Sequence, residues 1–292
     1  MRGRSLVHGA ATIVNAMGTG LGAAFGVDLW TRAEVELTDN PEKLEISISG
    51  APKEETALVE QCFQVVLQRF RLLSRFGGRI KTESNIPIAC GLKSSSAAAN
   101  AVTLAALSAL GKENLSQVEI VRLGVTAALR AGVTITGAFD DACASYLGGI
   151  VATNNARMRI VKRFHFDQQY PILIHVPSEK SYSKDVDVAR IRLLSPQIKL
   201  AFREATQGKY WDAMILNGIL HSSIFGYDPS IALDALAAGA ISAGLSGKGP
   251  SVTAVTLDEN LDRIREAWNA YEGRVIETVT NERTAETVAL SR

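Results

Sequence analysis

Pro87-Ile88-Ala89-Cys90-Gly91-Leu92-Lys93-Ser94-Ser95-Ser96-Ala97 is the stretch of this chain best equipped to hold an anion. The glycine lets the backbone pass close to a charged group. Three consecutive serines add hydroxyls and amides where an alanine-rich run opens as a helix. A helix N-terminus carries unbonded N–H groups and the positive end of the dipole, so the segment predicts a phosphate cradle to which Lys93 adds a cation. Taken alone, the same residues would equally serve as a serine-rich helix cap. The chain has no G-x-x-x-x-G-K-[ST] loop, and no G-x-G-x-x-G turn follows a strand.

Two further groups of residues could do chemistry. Gly244-Leu245-Ser246-Gly247-Lys248-Gly249-Pro250-Ser251 places glycines densely between apolar runs, the pattern of close backbone approach or of a tight hairpin. Asp140-Asp141 stands between Ala138-Phe139 and an alanine-containing stretch, a poor setting for two solvated charges. A carboxylate so placed can orient an alcohol, take its proton and neutralise a lysine or a metal, although an N-cap aspartate with a neighbour is also compatible.

Positioning these groups requires an alternation of strands and helices. Leu6–Val14, Ala33–Leu37, Leu44–Ser49 and Arg79–Glu83 read as strands, with a glycine-dense break at Gly18–Gly22. Apolar spacing predicts helices over Glu54–Ser74 and from Ala97 to about Leu110. Another spans Ser116–Ala131, where Ser116 and Glu119 form a capping box. Ile150–Thr153, Arg159–Phe164, Pro171–Val176 and Ser251–Leu257 read as strands, Ile241–Gly249 as a strand with a glycine turn, and Arg274–Thr280 as a final strand. Helices are expected at Ser195–Gly208, Tyr210–Leu220, Ile231–Ala238 and Leu261–Tyr271. The chain restarts as a second unit near Tyr170, without a long linker to mark the junction.

Composition narrows the function classes. With 292 residues there is room for two modest cores, and 47% hydrophobic with 21% charged residues is ordinary for a globular chain. A net charge of +1 gives no field to recruit nucleic acid or an anionic membrane. No apolar run is long enough for a membrane span, and Arg2 and Arg4 are not followed by a signal-peptide core. Cys62, Cys90 and Cys143 lack disulfide or metal spacing and read as buried thiols in a reducing cytoplasm. His8, His165, His175 and His221 show no metal-ligand spacing either.

Pro87, Gly91, Leu92, Ser94, Ser95 and Ala97 match the P-x-x-x-G-L-x-S-S-x-A motif, and here the chain resembles the GHMP kinase superfamily. The resemblance implies that Pro87 to Ala97 wraps the ATP phosphates and that Ser95 reaches phosphate and magnesium. Lys93 stands where that family usually has glycine. Gly244–Ser251 resembles the family's third motif, which closes over substrate and phosphates from a second domain. A looser match to the first motif covers His8–Thr12, Asn15 and Gly18–Gly22.

Family members carry an aspartate seven residues before a glycine in the 140 region. Counting back from Gly148 gives Asp141 as the base, with Asp140 second. The upstream magnesium-binding glutamate of several members has no counterpart where Arg130 and its neighbours fall, so the resemblance implies a metal held by Ser95, Asp141 and phosphates, or with an acid brought from elsewhere in the chain. The pattern over Gly9–Ala16, Gly22–Leu29, Ile86–Ala99, Thr136–Ala142 and Gly244–Ser251 is most similar to the archaeal-type shikimate kinases.

This resemblance implies a two-domain α+β GHMP kinase fold, residues 1–160 and 161–292, with the active site in the inter-domain cleft. It implies ATP and Mg2+, transfer to the 3-hydroxyl of shikimate, and an acceptor site containing Asn15, Gly247, Lys248 and Gly249. Lys248, Lys180, Lys184 and Arg190 are open as partners of the acceptor carboxylate. Other acceptors, homoserine or mevalonate, and a ligand-binding role without catalysis, are the competing readings.

Overall fold

The computed structural model describes residues 1–51, 54–88, 90–178 and 187–289. Its organising element is a hairpin of two long strands, β1 (Arg2–Val14) and β2 (Leu21–Thr38), antiparallel from Arg2↔Glu36 to Val14↔Ala23. Eighteen residues make β2 long enough to serve two neighbours in succession. Its first residues, Leu21–Phe25, pair with β5 (Ile150–Asn154). Thr31–Thr38 pair with β4 (Gly77–Ser84), which carries β3 (Leu44–Ile48) as a parallel edge. β6 (Arg159–Phe164) continues the sheet from β5, so the boundary expected at residue 160 falls within a strand of the first sheet.

Four helices cover one face of this sheet: α1 (Ala57–Arg69), α2 (Ser94–Ala109), α3 (Gln117–Arg130) and α4 (Phe139–Leu147). α2 is the central one. Its alanines let it lie close to β1 while α1, α3 and α4 press on its other sides, and eleven of its residues are buried. α3 opens with the expected capping box: the Ser116 hydroxyl accepts from the Glu119 N–H, and the Ser116 N–H donates to the Glu119 carboxylate at 3.0 Å. α1 is shorter than its apolar spacing suggests, because the chain turns at Arg71 with a φ of 61°.

The second sheet has the order β10-β7-β9-β8, antiparallel throughout: β7 (Pro171–Val176), β8 (Ser242–Leu245), β9 (Val252–Val255) and β10 (Arg274–Val279). Its side chains alternate between two covers, as a pleat requires. Leu173, Ala243, Leu245, Val252 and Ala254 join Ile264 and Trp268 in a separate small core beneath α8 (Ser230–Ala237) and α9 (Leu261–Trp268). Ile172, Ile174 and Val255 face the other way and merge with the main core, together with α6 (Ser195–Thr206) and α7 (Tyr210–Phe225).

Two short elements lie outside the sequence expectations, α5 (Val188–Leu193) and β11 (Glu286–Thr287). β11 returns the chain to the first sheet beside β1, so β10 is not the last strand. The three cysteines are buried. Among the described residues no helix is long and apolar enough to cross a membrane.

Candidate active site

α2 begins at Ser94, three residues earlier than its apolar pattern implies. Lys93 is its N-cap, in the left-handed region (φ 63°, ψ 27°) with no side-chain cap, and the first intrahelical bond runs from the Ala97 N–H to the Lys93 carbonyl at 3.0 Å. Ser94, Ser95 and Ser96 therefore form the first turn, where helical N–H groups have no partner within the helix. Ser95 is exposed while Ser94 and Ser96 are half-buried. Pro87 and Leu92 are buried, Ile88 is half-buried, and the Cys90 thiol lies 3.2 Å from the Ile88 carbonyl. Ala89 lies outside the described residues.

The third glycine loop sits directly on this turn. The Ser246 hydroxyl donates to the Gly91 carbonyl at 2.9 Å. A Cβ at Gly91, whose φ is 79°, would fall inside the Ser246 carbonyl oxygen, so only glycine permits the two loops to touch. The same loop is tied to β1: the Gly247 N–H donates to the Thr12 hydroxyl at 2.9 Å, and the Asn15 amide donates to the Gly247 carbonyl at 2.8 Å. Asn15 also accepts from the Met17 N–H, and its own N–H donates to the Asn217 side chain on α7, both at 2.9 Å. Three distant segments thus converge: residues 12–15, 91–96 and 246–249.

α4 brings the carboxylates to the same place. Asp140 and Asp141 occupy its first turn, a favourable position relative to the helix dipole. Their side chains part company. Asp140 is 3% exposed and packs against β2 at Gly22, where an added Cβ would collide with its carboxylate. Its Oδ1 accepts from the Asn155 amide at 2.7 Å, and the Asn155 oxygen accepts in turn from the Asp140 N–H and the Thr153 hydroxyl. Burial, and then the charge of Asp141, push the Asp140 carboxyl up to about 7.

Asp141 turns instead toward the helix mouth. Its Oδ2 lies 3.0 Å from the Lys93 ammonium, with the two side chains about equally buried. Its Oδ1 is buried and has no hydrogen-bond partner among the described residues. This arrangement can accept a proton from an alcohol whose oxygen approaches a phosphate held on the first turn of α2.

Cations dominate the remainder of the site. Lys248 is half-buried, and burial, then repulsion from Lys93, lower its ammonium to about 8. His221 is fully buried on α7 and pushed down to about 4, so it is neutral near pH 7. Its Nδ1 lies 3.0 Å from the Asn217 carbonyl, which can only accept, so Nδ1 carries the proton. Arg190 stands on α5 with its side chain outward, and Lys180 and Lys184 lie outside the described residues. Arg130 is bonded to Gln68 at 2.7 Å on the exposed side of α3.

Asn155, Asn217, His221 and the tie made by Thr12 were not singled out from sequence as site residues. Asn217 and His221 had a legible signal: two polar residues four apart, one inside the apolar run Ala213–Leu220 and one directly after it, share one helix face and are buried there. Asn155 had none, because it follows a strand in an ordinary turn.

Residues 57–149 match the family model described as the GHMP kinases N terminal domain. The chain is 48% identical to a shikimate kinase of Methanosarcina acetivorans, over 97% of this chain and 95% of that one. It is 41% identical to a shikimate kinase of Pyrococcus furiosus, over 96% of this chain and 100% of that one. Among solved structures, a homoserine kinase from Cytophaga hutchinsonii superposes with a TM-score of 0.75 at 18% identity, covering 98% of this chain and 97% of that one. The mevalonate kinase of Methanococcus jannaschii does so with a TM-score of 0.74 at 16% identity, covering 95% and 98%. At such identities the structures speak to the fold.

Proposed function

We propose, from the fact that this chain belongs to the GHMP kinase family and within it to the archaeal shikimate kinases, that it transfers the γ-phosphoryl group of ATP to the 3-hydroxyl of shikimate. Its fold is the two-domain α+β fold of the GHMP kinases. The observation that carries the kinase chemistry is the meeting of Asp141 and Lys93 at the open first turn of α2. The acceptor follows from near-full-length likeness to shikimate kinases.

In this reading the amides and hydroxyls of Ser94–Ser96 and the loop from Pro87 to Lys93 bind the triphosphate, which supplies the phosphoryl group. The acceptor hydroxyl lies against Asp141. As its oxygen bonds to the γ-phosphorus, its proton passes to the Asp141 carboxylate. The bond from phosphorus to the β,γ-bridging oxygen breaks, and its electron pair leaves with ADP. Asp141 is favoured over Asp140 as the base because Asp140 is enclosed by Gly22 and Asn155.

Ser95 and Oδ1 of Asp141, which has no partner among the described residues, are the groups that would hold Mg2+. Such a sparse set suits an ion that retains water and phosphate oxygens, and no cluster of three metal-ligating side chains occurs among the described residues. Bound there, the ion would neutralise phosphate charge. Lys248, with Gly247 and Gly249, lines the acceptor side, and its ammonium suits the shikimate carboxylate. Asn15 serves that side by fixing the loop.

The division into an N-terminal domain with the phosphate loop and aspartate, and a C-terminal domain with the glycine loop, is drawn between β6 and β7. The separate second sheet supports it. The buried cysteines suit a reducing cytoplasm.

A panel of acceptors with labelled ATP tests the reading. Label is expected on shikimate; label on homoserine or mevalonate with shikimate untouched overturns the acceptor. Asp141→Asn is expected to lower turnover by about 100-fold or more with ATP binding retained, and near-normal turnover removes Asp141 from the mechanism.

A further inference from the structure

We propose that Lys93 is a catalytic residue of this kinase, its ammonium bridging Asp141 and the phosphoryl group in transfer. The inference rests on the functional reading above and gives that site its cation. Lys93 stands where the surrounding motif resembles one with glycine, so no role passes to it from the resemblance.

Three elements meet on this one ammonium. Its backbone caps α2 in the left-handed region, which a lysine rarely adopts, and this directs the side chain back across the helix mouth. Its Nζ lies 3.0 Å from Asp141 on α4, with the lysine side chain only 10% exposed. The third loop closes the other side: a Cβ built on Gly247 would stand 2.9 Å from Nζ, so the bare glycine leaves the room that Lys93 occupies. A lysine that only collected phosphate from solvent would extend its head into water. This one is drawn inward onto the base.

The chemistry requires a cation there. A carboxylate base and a γ-phosphate must approach the same hydroxyl, and two anions at that separation repel strongly in a site shielded from water. An ammonium touching both removes the repulsion and meets the charge that grows on the phosphoryl oxygens. Lys93 gives up no proton in the transfer set out above; it remains an ammonium between Asp141 Oδ2 and a non-bridging phosphoryl oxygen. Its charge reaches Lys248 as well, contributing to the lowering of that group to about 8.

The test is a double-mutant cycle of Lys93→Met and Asp141→Asn, with Lys93→Arg as the conservative variant. Lys93→Met is expected to lower kcat by about 100-fold or more, with the calorimetric Kd for ATP and the acceptor KM moving by less than about threefold. The double variant is expected to be no slower than the slower single one, because the two groups act as a unit. Lys93→Arg is expected to recover about tenfold or more of the Lys93→Met loss.

The proposal is overturned if Lys93→Met weakens ATP binding while kcat at saturation holds, or if the two losses multiply. If Lys93→Met does not fold, Asp141→Asn is compared with the double variant, which strands no charge. Equal kcat then supports the proposal and a further fall of about tenfold overturns it. Wild-type transfer to another alcohol in place of shikimate overturns the functional reading alone, and the cycle is then read on that alcohol. Absence of transfer to every alcohol overturns both.

Discussion

Replacing Asp140 with asparagine keeps the outline of the side chain and removes its charge. In the fold this carboxyl is 3% exposed, and its Oδ1 accepts from Asn155 at 2.7 Å. Burial and the neighbouring Asp141 raise it from the ordinary 3.8 to about 7, against the pull of Lys93 and the Asn155 bond. The folded protein therefore holds this proton more tightly than the unfolded chain does. The stability that Asp140 contributes is fully present below about pH 3.8 and is lost as the pH rises through about 7. At about 1.4 kcal/mol per pH unit, crossing that window costs the native state up to about 4 kcal/mol.

The asparagine that replaces this aspartate has no proton to lose, and its amide oxygen can still accept from Asn155. The Asp140→Asn variant should thus gain on the wild type as the pH rises, by up to about 4 kcal/mol between about pH 4 and pH 8. Urea unfolding of both proteins across that range gives the difference curve in which other titrating groups largely cancel. A difference that stays flat within about 0.5 kcal/mol would refute the reasoning. So would a wild type that gains on the variant with rising pH, because the carboxylate would then be ionised in the fold and held by Lys93 and Asn155.

Gly91→Ala forces a Cβ into the Ser246 carbonyl at a φ of 79°, so a loss of about 2 kcal/mol or more is expected in thermal or urea unfolding, with weakened ATP binding. Asn15→Ala removes the bonds that hold Gly247 and the Met17 N–H and strands buried backbone groups. It should cost about 1–3 kcal/mol in stability and raise the acceptor KM more than the ATP KM.

Local patterns made much of the fold legible. Ser116 and Glu119 announce the start of α3 because a capping box needs only residues three apart. The apolar runs of β7 and β9 read as strands since both faces of that sheet are covered. Less legible was the first hairpin. β1 and β2 run well beyond the short strands that local alternation suggests, because cross-strand pairing from Arg2↔Glu36 onward extends both. β11 is too short to carry a pattern at all, and exists because β1 offers it an edge.

The sequence by itself determined the chemistry available: a serine-rich helix opening, an aspartate pair and a second glycine loop, each a statement about neighbours along the chain. Tertiary structure decided how these are used. It sends Asp140 into the Asn155 and Gly22 pocket and Asp141 onto Lys93, although the two stand side by side in sequence, because successive helical residues project about 100° apart and α4 meets β2 on one side only. It also starts α2 at Ser94 and lays Ser246 on Gly91 across a separation of 155 residues. Contacts of that kind depend on how the two sheets pack, and packing distance leaves no periodic trace in the residues that make it.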